Sequence, residues 1–421
     1  MEKKIFTVAI LGLGGRGADA YGWLIHKAKD RFKIVSLCDL KPERIEMFSQ
    51  AFDVPKENCF IDDEEFLREK RADLLLIATP DTEHVRHTLK GFALGYDLMV
   101  EKPLTEHEDE CLQLLDAQKK AGTKALVCHV LRYAPAFMKM AELLDQGKIG
   151  QLVLISALER VGASHQAHSY VRGNWRNRKV AAPMILAKCC HDLDLLQFYA
   201  KSKCKTVSSV GDLAYFKSEN APEGAAKRCL DCPHQDSCPY SAKTQYLTNW
   251  KKGGCPEDCW PYNVVVNAPI TEEKLLAALR DGDYGRCVYY SDNDVVDHQI
   301  TELVFENGVK AVLTMTAFTA TGGRRIHFHG TLGDMVLDED AGSIVLHQYG
   351  KDREIMPIAD LMEKGYGHGG GDNGIVNALY EILSGDATAA TSLEASVESH
   401  LMGIRAEESR LQGGKMLNVH Q

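Results

Sequence analysis

A run of glycines near the start of the chain has the spacing of a nucleotide-binding turn. The run is G-L-G-G-R-G, formed by Gly12, Gly14, Gly15, Arg16 and Gly17, between an apolar stretch and a helix-compatible one. The first glycine of this pattern permits a tight turn, the second lets the backbone approach a pyrophosphate, and the third lets helix pack on strand. Phosphates would then meet a helix N-terminus, where free N–H groups favour anions.

A carboxylate at the end of the second β pattern strengthens this interpretation. Asp39 lies where a carboxylate accepts hydrogen bonds from the adenosine ribose diol and would repel a 2'-phosphate. We therefore expect NAD as cofactor rather than NADP, although the nearby Lys41 and Arg44 weaken the discrimination. The alternative is an ordinary strand turn followed by a surface aspartate.

Two further motifs, ATPDTEH and VEKPL, follow later strand patterns. The carboxyl ends of parallel strands face the cofactor crevice. We therefore expect the cofactor to be bordered by Thr79, Pro80, His84, Glu101 and Lys102. In that crevice Lys102 could donate a hydrogen bond to substrate or cofactor, or move a proton. The alternative is an ordinary surface lysine.

In their order and spacing, GLGGRG, Asp39, ATPDTEH and VEKPL resemble the Gfo/Idh/MocA family of glucose-fructose oxidoreductase and inositol dehydrogenase relatives. Later runs are also similar to the family, namely NWR, CHDLD, GTLGDM, GHGGGDN and SHLMGIRAEESRL. The resemblance covers nearly the whole chain except a cysteine-rich segment. It implies an enzyme that transfers hydride between NAD and a secondary alcohol of a sugar, cyclitol or related polyol.

The resemblance also implies catalytic residues. Lys102 matches the EKP lysine that contacts substrate and nicotinamide, His191 matches the histidine of an H-x-x-D motif, and Asp194 its aspartate. Members usually have an aspartate four residues before that histidine, where this chain has Ala187 with Lys188 beside it. Lys188, His191 and Asp194 have the spacing of one helix face, so Lys188 could take over the missing polar role. Alternatively, His191 is a buried histidine that Asp194 holds for structural reasons.

Four other residues are candidates for binding the substrate. Arg132 could bind a hydroxyl-rich or anionic group, and Trp175 with Arg176 could stack on a sugar ring. His368 lies in a glycine-rich loop that ends at Asp372, a residue suited to capping the next helix. A substrate contact from His368 and a plain capping role for the loop are both open.

Five cysteines fall within one short segment and need a separate explanation. They are Cys229, Cys232, Cys238, Cys255 and Cys259. Four of the five match a structural zinc site, which could order a loop without a core of its own. Cys-Pro steps also favour an iron–sulfur cluster, and unliganded or disulfide-forming thiols are the third alternative.

The elements that must position these residues form two predicted domains. Short apolar runs at 7–11, 34–38, 74–78, 98–100 and 125–127 alternate with helical patterns, which predicts a doubly wound parallel sheet, a Rossmann domain over 1–131. Alternating runs at 152–160, 300–305, 311–318 and 325–330 predict an α+β domain over 132–421 with a largely antiparallel open sheet. A cysteine-rich insertion at about 217–294 interrupts it.

Composition limits the class of protein. The 421 residues are 45% hydrophobic and 26% charged, with 49 basic and 59 acidic side chains, which is typical of a globular protein and argues against nucleic acid or membrane partners. We expect a cytoplasmic enzyme with a small-molecule substrate. The resemblance implies a homodimer or homotetramer. It leaves open an enzyme that cleaves glycosides with retained NAD, or a non-catalytic NAD sensor.

Overall fold

The computed structural model describes residues 4–179, 181–362, 367–387 and 390–420. Its strands form two sheets, which we name sheet A and sheet B. The strands of sheet A are β1 Phe6–Leu11, β2 Phe32–Cys38, β3 Cys59–Phe60, β4 Leu74–Ile77, β5 Asp97–Val100 and β6 Ala125–Val127. The strands of sheet B are β7 Leu152–Arg160, β8 Cys204–Asp212, β9 His298–Phe305, β10 Lys310–Thr316, β11 Gly323–Gly330, β12 Gly333–Asp338, β13 Ser343–Gln348, β14 Glu354–Pro357 and β15 Leu417–Asn418.

The helices lie between and beside these strands. The α-helices are α1 Trp23–Lys27, α2 Pro42–Ala51, α3 Asp63–Phe66, α4 His84–Ala93, α5 Glu108–Ala121, α6 Pro135–Asp145, α7 Ala163–His165, α8 Met184–Ala187, α9 Cys190–Ala200, α10 Asn249–Lys252, α11 Tyr262–Val265, α12 Glu272–Asp281, α13 Gly371–Ser384 and α14 Leu393–Leu411. Three π-helical segments cover Gly15–Gly22, Gln166–Arg172 and Thr244–Thr248. In the described ranges, no helix combines the length and apolar character needed to cross a membrane.

Sheet A is wholly parallel, with strand order β3-β2-β1-β4-β5-β6, which confirms the predicted Rossmann-like sheet. All four residues of β4 are buried, because helices cover both faces of a parallel sheet. The strand order reverses between β1 and β4. A crevice opens at such a reversal, outside the carboxyl ends of the strands, and this is where ligands bind in open α/β sheets.

Sheet B is mixed and mostly antiparallel, as predicted, with β7 and β10 as a parallel pair. Its β9 strand alternates buried and more exposed residues, and α9 and α14 pack on the buried face. Gly308 forms a turn between β9 and β10 with φ +89°, and Gly333 begins β12. The sequence patterns did not predict β8, β12 or β13.

Between β8 and β9 the chain forms an excursion with its own small core, which we call the insertion core. Its buried residues are Cys229, Ala242, Tyr246, Leu247, Trp250, Ile270, Leu275 and Leu279. The Trp250 indole also donates a hydrogen bond to Pro256 O at 3.0 Å. This excursion therefore has apolar packing of its own, which the low periodicity of its sequence did not reveal.

We predict that Leu275→Ala will loosen the insertion core without unfolding sheet A. Leu275 is fully buried, and truncating a buried leucine costs about 2–5 kcal/mol. Limited proteolysis with mass-spectrometric mapping should show faster cleavage within 213–297. Val264→Ala is the control, because Val264 is 43% exposed. Equal cleavage rates for both variants would contradict the prediction.

Candidate functional site

The glycine-rich turn follows β1 and borders an open space beside Gly14 and Gly15, which we call the cradle. Gly12 has φ +94°, and a Cβ on it would lie 2.5 Å from Ala78 O. A Cβ on Gly17 would lie 1.9 Å from Gly12 O, so neither position accepts another residue without a backbone shift. A Cβ on Gly14 or Gly15, by contrast, would meet nothing within 4 Å. This open space beside a helix start fits the pyrophosphate of a dinucleotide.

Asp39 lies at the end of β2, next to this turn. Its carboxylate accepts hydrogen bonds from the N–H of Leu13 at 2.7 Å and from the N–H of Lys41 at 2.9 Å. Arg44 donates to Leu13 O at 2.8 Å and pairs with Asp19 at 2.9 Å. The turn and the end of β2 are thus joined through polar contacts, and the Arg44 charge has an acidic partner within the fold.

Arg16, which belongs to the glycine-rich turn, forms ion pairs with two carboxylates. Its guanidinium pairs with Glu101 at 2.9 Å and with Asp372 at 2.7 Å, and it also contacts the Tyr21 hydroxyl. Tyr21 donates to Glu101 at 2.8 Å, and the other Glu101 oxygen accepts the N–H of Lys102 at 2.9 Å. Burial alone would raise the pKa of Glu101, but the charges of Arg16 and Lys102 hold it below its usual range. Arg16 and Glu101 therefore belong to one ion network beside the glycine-rich turn, and their contact with the cofactor stays a prediction.

Asp372 belongs to the same network and is not the helix cap that the sequence suggested. The helix α13 begins at Gly371 with Gly370 as its N-cap. The Asp372 carboxylate instead lies 3.1 Å from Nδ1 of His368 and pairs with Arg16. Burial alone would raise the pKa of Asp372, but hydrogen bonds from His368 and Arg16 hold it well below its usual range.

Thr79, Pro80 and His84 join two strand ends. The His84 ring nitrogens lie 2.6 Å from Pro103 O and 2.8 Å from Thr79 O, and the side chain is buried. Thr79 Oγ1 lies 3.0 Å from a ring nitrogen of His87, and Pro80 precedes a short helical turn. His84 therefore links the loop after β4 to the loop after β5 through its two ring nitrogens.

Lys102 follows β5 at the carboxyl edge of sheet A, and His191 lies on α9, where the charge of Lys102 acts on it. Lys102 Nζ lies 3.5 Å from the carbonyl oxygen of Ala187, the position where the family resemblance implies an aspartate. His191 is 8% exposed, and its Nδ1 is buried with no hydrogen-bond partner among the described residues. Burial, and then the nearby charge of Lys102, lowers the pKa of His191 well below its ordinary value. A neutral imidazole with a free nitrogen can accept a proton.

Lys188 does not share a helix with His191, whereas Asp194 lies on α9 three residues after His191, as the spacing predicts. The predicted helix is broken, since α8 ends at Ala187 and α9 begins at Cys190. Lys188 Nζ pairs with Glu159 at 3.1 Å. Asp194 accepts two hydrogen bonds from Arg132, at 2.6 and 2.7 Å.

The predicted substrate residues therefore divide into two groups. Arg132 is 7% exposed and bound to Asp194, and Arg176 pairs with Asp292 at 2.9 Å, so both arginines hold structural elements together. Trp175 is 37% exposed, and the His368 side chain is 43% exposed. Only the latter two of these four have substantial surface for a ligand.

Three residues that the sequence did not assign also lie near His191 or Lys102. His129 is fully buried, its ring centre is 5.8 Å from that of His191, and burial lowers its pKa to about 3. Burial raises the pKa of Asp81, against the effects of His84 and Lys102. Lys102 is also among the charges that act on His165, where burial and then Lys188 lower the pKa to about 3.

The chain between β8 and β9 contributes an aromatic wall near His165. Trp260 is 53% exposed, and its ring centre lies 5.3 Å from that of His165. Asp258, two residues earlier, acts electrostatically on Asp19 of the first π-helical segment. This segment has no counterpart in the family resemblance, so no sequence signal pointed to Trp260.

The five clustered cysteines are not all brought together. Cys229, Cys232 and Cys238 line one small cavity, together with Cys287. Cys255 and Cys259 are exposed and do not line it. Within the described ranges, no three His, Cys, Asp or Glu side chains converge closely enough to hold a metal ion as they stand.

Comparisons with known proteins agree with this architecture over nearly the whole chain. Residues 6–129 match the GFO_IDH_MocA family, described as an oxidoreductase family with an NAD-binding Rossmann fold. Residues 141–417 match its C-terminal alpha/beta domain.

Individual relatives are distant in sequence. The Bacillus subtilis protein YteT is 22% identical over 423 residues, which cover 92% of this chain and 93% of YteT. Inositol 2-dehydrogenase of Corynebacterium glutamicum is 21% identical over 206 residues, or 48% of this chain and 57% of that enzyme. The solved structure of levoglucosan dehydrogenase with NADH and levoglucosan has a TM-score of 0.72 at 15% identity, covering 99% of this chain and 100% of that one. At this identity the likeness in structure shows the fold alone.

We predict that Asp372→Asn will destabilise the protein in a pH-dependent way. The variant loses a charged acceptor of Arg16, and hydrogen bonds to charged groups contribute about 1.5–3 kcal/mol. Because the folded-state pKa of Asp372 is depressed, its contribution is present above its unfolded-state pKa and is lost as the pH falls toward the folded one.

The measurement is the free energy of urea unfolding of both proteins between about pH 3 and pH 8, a range that includes the ordinary carboxyl pKa of about 3.9. The gap should be constant at neutral pH and shrink below about pH 4. Asp360→Asn is the control, because Asp360 is an exposed acid near the same loop. A gap that is independent of pH would exclude the ionised carboxylate as its cause.

Proposed function

Because the chain belongs to the Gfo/Idh/MocA family of NAD-binding oxidoreductases, we propose that it transfers hydride between NAD and a secondary alcohol of a sugar, cyclitol or related polyol. One observation carries this proposal. Lys102 follows β5 at the carboxyl edge of sheet A, and its charge acts on His191, whose Nδ1 is buried without a partner among the described residues. The carboxyl ends of parallel strands border the cofactor crevice, which supports a place for this pair beside the nicotinamide half of the cofactor.

In this mechanism NAD, when bound, supplies the hydride acceptor. His191 takes the proton from the substrate hydroxyl during oxidation and returns it during reduction. Its depressed pKa keeps it neutral and able to accept that proton at pH 7. Lys102 orients the same hydroxyl through its ammonium group, and Glu101 fixes the Lys102 backbone N–H.

The shape of the proposed substrate follows from the exposed aromatic surface near this pair. Trp175 and Trp260 expose 37% and 53% of their surface. Indole rings pack well against the apolar face of a cyclic polyol, while the tip of each ring stays polar. The His368 side chain is exposed, and its ring centre lies 6.4 Å from that of His191. We therefore favour a ring-shaped substrate over an open-chain polyol.

A second candidate function is favoured by Ala187. An enzyme that retains NAD and uses transient oxidation to cleave a glycoside would also need a hydride site, and the missing aspartate separates this chain from the usual dehydrogenase pattern. A fluorescence screen against polyols and glycosides distinguishes the two. A dehydrogenase accumulates NADH, whereas the glycosidase releases sugar without net NADH. A sensor would bind NAD and do neither.

We also propose a cytoplasmic homodimer or homotetramer. The face of sheet B opposite α9 and α14 carries Val210 and its cross-strand neighbour Ile300, which are 50% and 43% exposed. Apolar pairs of this kind are suited to a subunit interface. Light scattering after size exclusion tests the assembly.

We predict that Lys102→Ala and His191→Ala will each lower turnover by about a hundredfold or more, which is the usual contribution of an acid/base group. NAD affinity, measured by calorimetry, should change little. Because the two groups act together, the double variant should lose less than the product of the single losses. The control is Lys119→Ala, which removes a surface lysine of α5. Near-normal turnover of either variant would remove that residue from the mechanism.

The pH profile gives a separate prediction for the same pair. The acid limb of kcat/KM for oxidation should lie below the ordinary histidine pKa of about 6.5, because rate is lost only when the pH falls through the depressed pKa of His191. Lys102→Met removes a positive charge that helps to depress that pKa. The acid limb of this variant should therefore move to higher pH, and a shift to lower pH would contradict the assignment.

We predict that Asp39 selects NADH over NADPH. Its carboxylate would bond the ribose diol and repel a 2'-phosphate. Calorimetric titration should give tighter binding of NADH, and Asp39→Ala should reduce the ratio of the two affinities. Asp53→Ala is a control outside the turn, since Asp53 follows α2. Tighter binding of NADPH by the unaltered protein would contradict the prediction.

A further inference from the structure

Four cysteines from two separate parts of the chain surround one cavity beside the insertion core. Cys229, Cys232 and Cys238 lie close together in sequence, whereas Cys287 follows about fifty residues later. Arg228 and Arg286 form an antiparallel bridge, and the N–H of Cys287 donates to Lys227 O at 2.9 Å. This pairing brings Cys229 and Cys287 side by side. The cavity measures about 20 Å³, which is room for one small ligand atom.

A buried cation next to this cavity needs a negative partner. Arg172 also lines the cavity and is fully buried. Its guanidinium donates to three neutral oxygens, those of Arg286 O and Tyr240 O, each at 2.7 Å, and Gln245 Oε1 at 3.4 Å. Its fourth partner is the sulfur of Cys229 at 3.6 Å. A buried charge is costly without a counter-charge, and an anionic group bound by the neighbouring cysteines would supply one.

We propose that Cys229, Cys232, Cys238 and Cys287 form a four-thiolate centre for a thiophilic metal group, either a single Zn²⁺ or an iron–sulfur cluster. Four thiolates around one Zn²⁺ carry a net charge of about −2, and a cysteine-ligated cluster is also anionic. Either group therefore supplies a negative counter-charge for the Arg172 guanidinium. Ligation of a divalent ion by four thiols releases their four protons to solvent.

The site differs from the set that the sequence spacing suggested, because Cys287 takes a place among the ligands and the exposed Cys255 and Cys259 do not. The thiols now line the wall of the cavity and do not meet at one point. Rotation of the cysteine side chains toward the centre of the cavity would bring them onto a single ion, whereas a cluster would also need the wall of the cavity to move outward. Cys229 also packs in the insertion core, so the metal would brace the segment that carries Trp260.

The test is metal analysis of the full-length protein purified without oxygen. Elemental analysis with an assay for acid-labile sulfide should find zinc without sulfide or iron with sulfide, and either result supports the centre. Cys287→Ser should lose the metal, and the matched control Cys255→Ser/Cys259→Ser should keep it. Loss in the control with retention in Cys287→Ser would overturn the ligand set.

A second measurement uses the unaltered chain, in case Cys287→Ser does not fold. Alkylation followed by mass spectrometry should show that the four proposed ligands react only after the metal is removed by a chelator, while Cys255 and Cys259 react at the same rate before and after. The proposal fails if the protein takes up neither Zn²⁺ nor iron with sulfide when these are supplied, or if chelation leaves the reactivity of the four thiols unchanged.

Discussion

The contact of Arg16 with two carboxylates joins the parts of the fold on which the site depends. Glu101 stands at the end of β5, and Asp372 stands at the start of α13 in the second half of the chain. One guanidinium therefore fixes the glycine-rich turn, the segment that carries Lys102, and the loop that carries His368. Breaking an ion pair of this kind leaves its remaining charge unpaired in a poorly solvated place, so this junction resists separation of α13 from sheet A.

The elements with a regular pattern could be predicted closely from the sequence. The strands β6 and β7 were placed with their observed bounds, because each is an uninterrupted run of the expected period. The partners of long polar side chains could not be predicted in this way. Arg16 was expected at the cofactor and Arg132 at the substrate, yet each pairs with a carboxylate distant in sequence. Local spacing contains no information on which carboxylate the fold brings near.

The excursion between β8 and β9 is a second example of packing that the sequence pattern did not predict. Its Cys229 and Trp250 pack in a core that periodicity did not reveal, and Cys287 stood outside the visible cysteine cluster. The burial of Arg172, which the sequence does not reveal, gives a physical reason to consider these thiols together. The same excursion brings Trp260 against His165, so a feature that stabilises it also shapes the wall of the proposed substrate site.

The replacement of a family aspartate by Ala187 has a direct electrostatic consequence for the proposed chemistry. Lys102 contacts a neutral carbonyl at this position, where the family resemblance implies a carboxylate. Its positive charge is then balanced on that side by a dipole, and more of its field acts on His191, whose pKa burial has already lowered. A lowered pKa keeps His191 neutral but also makes it a weaker base, so a proton that it accepts is readily released again. In the proposed mechanism the depressed pKa therefore favours return of the proton to the substrate over its retention on His191.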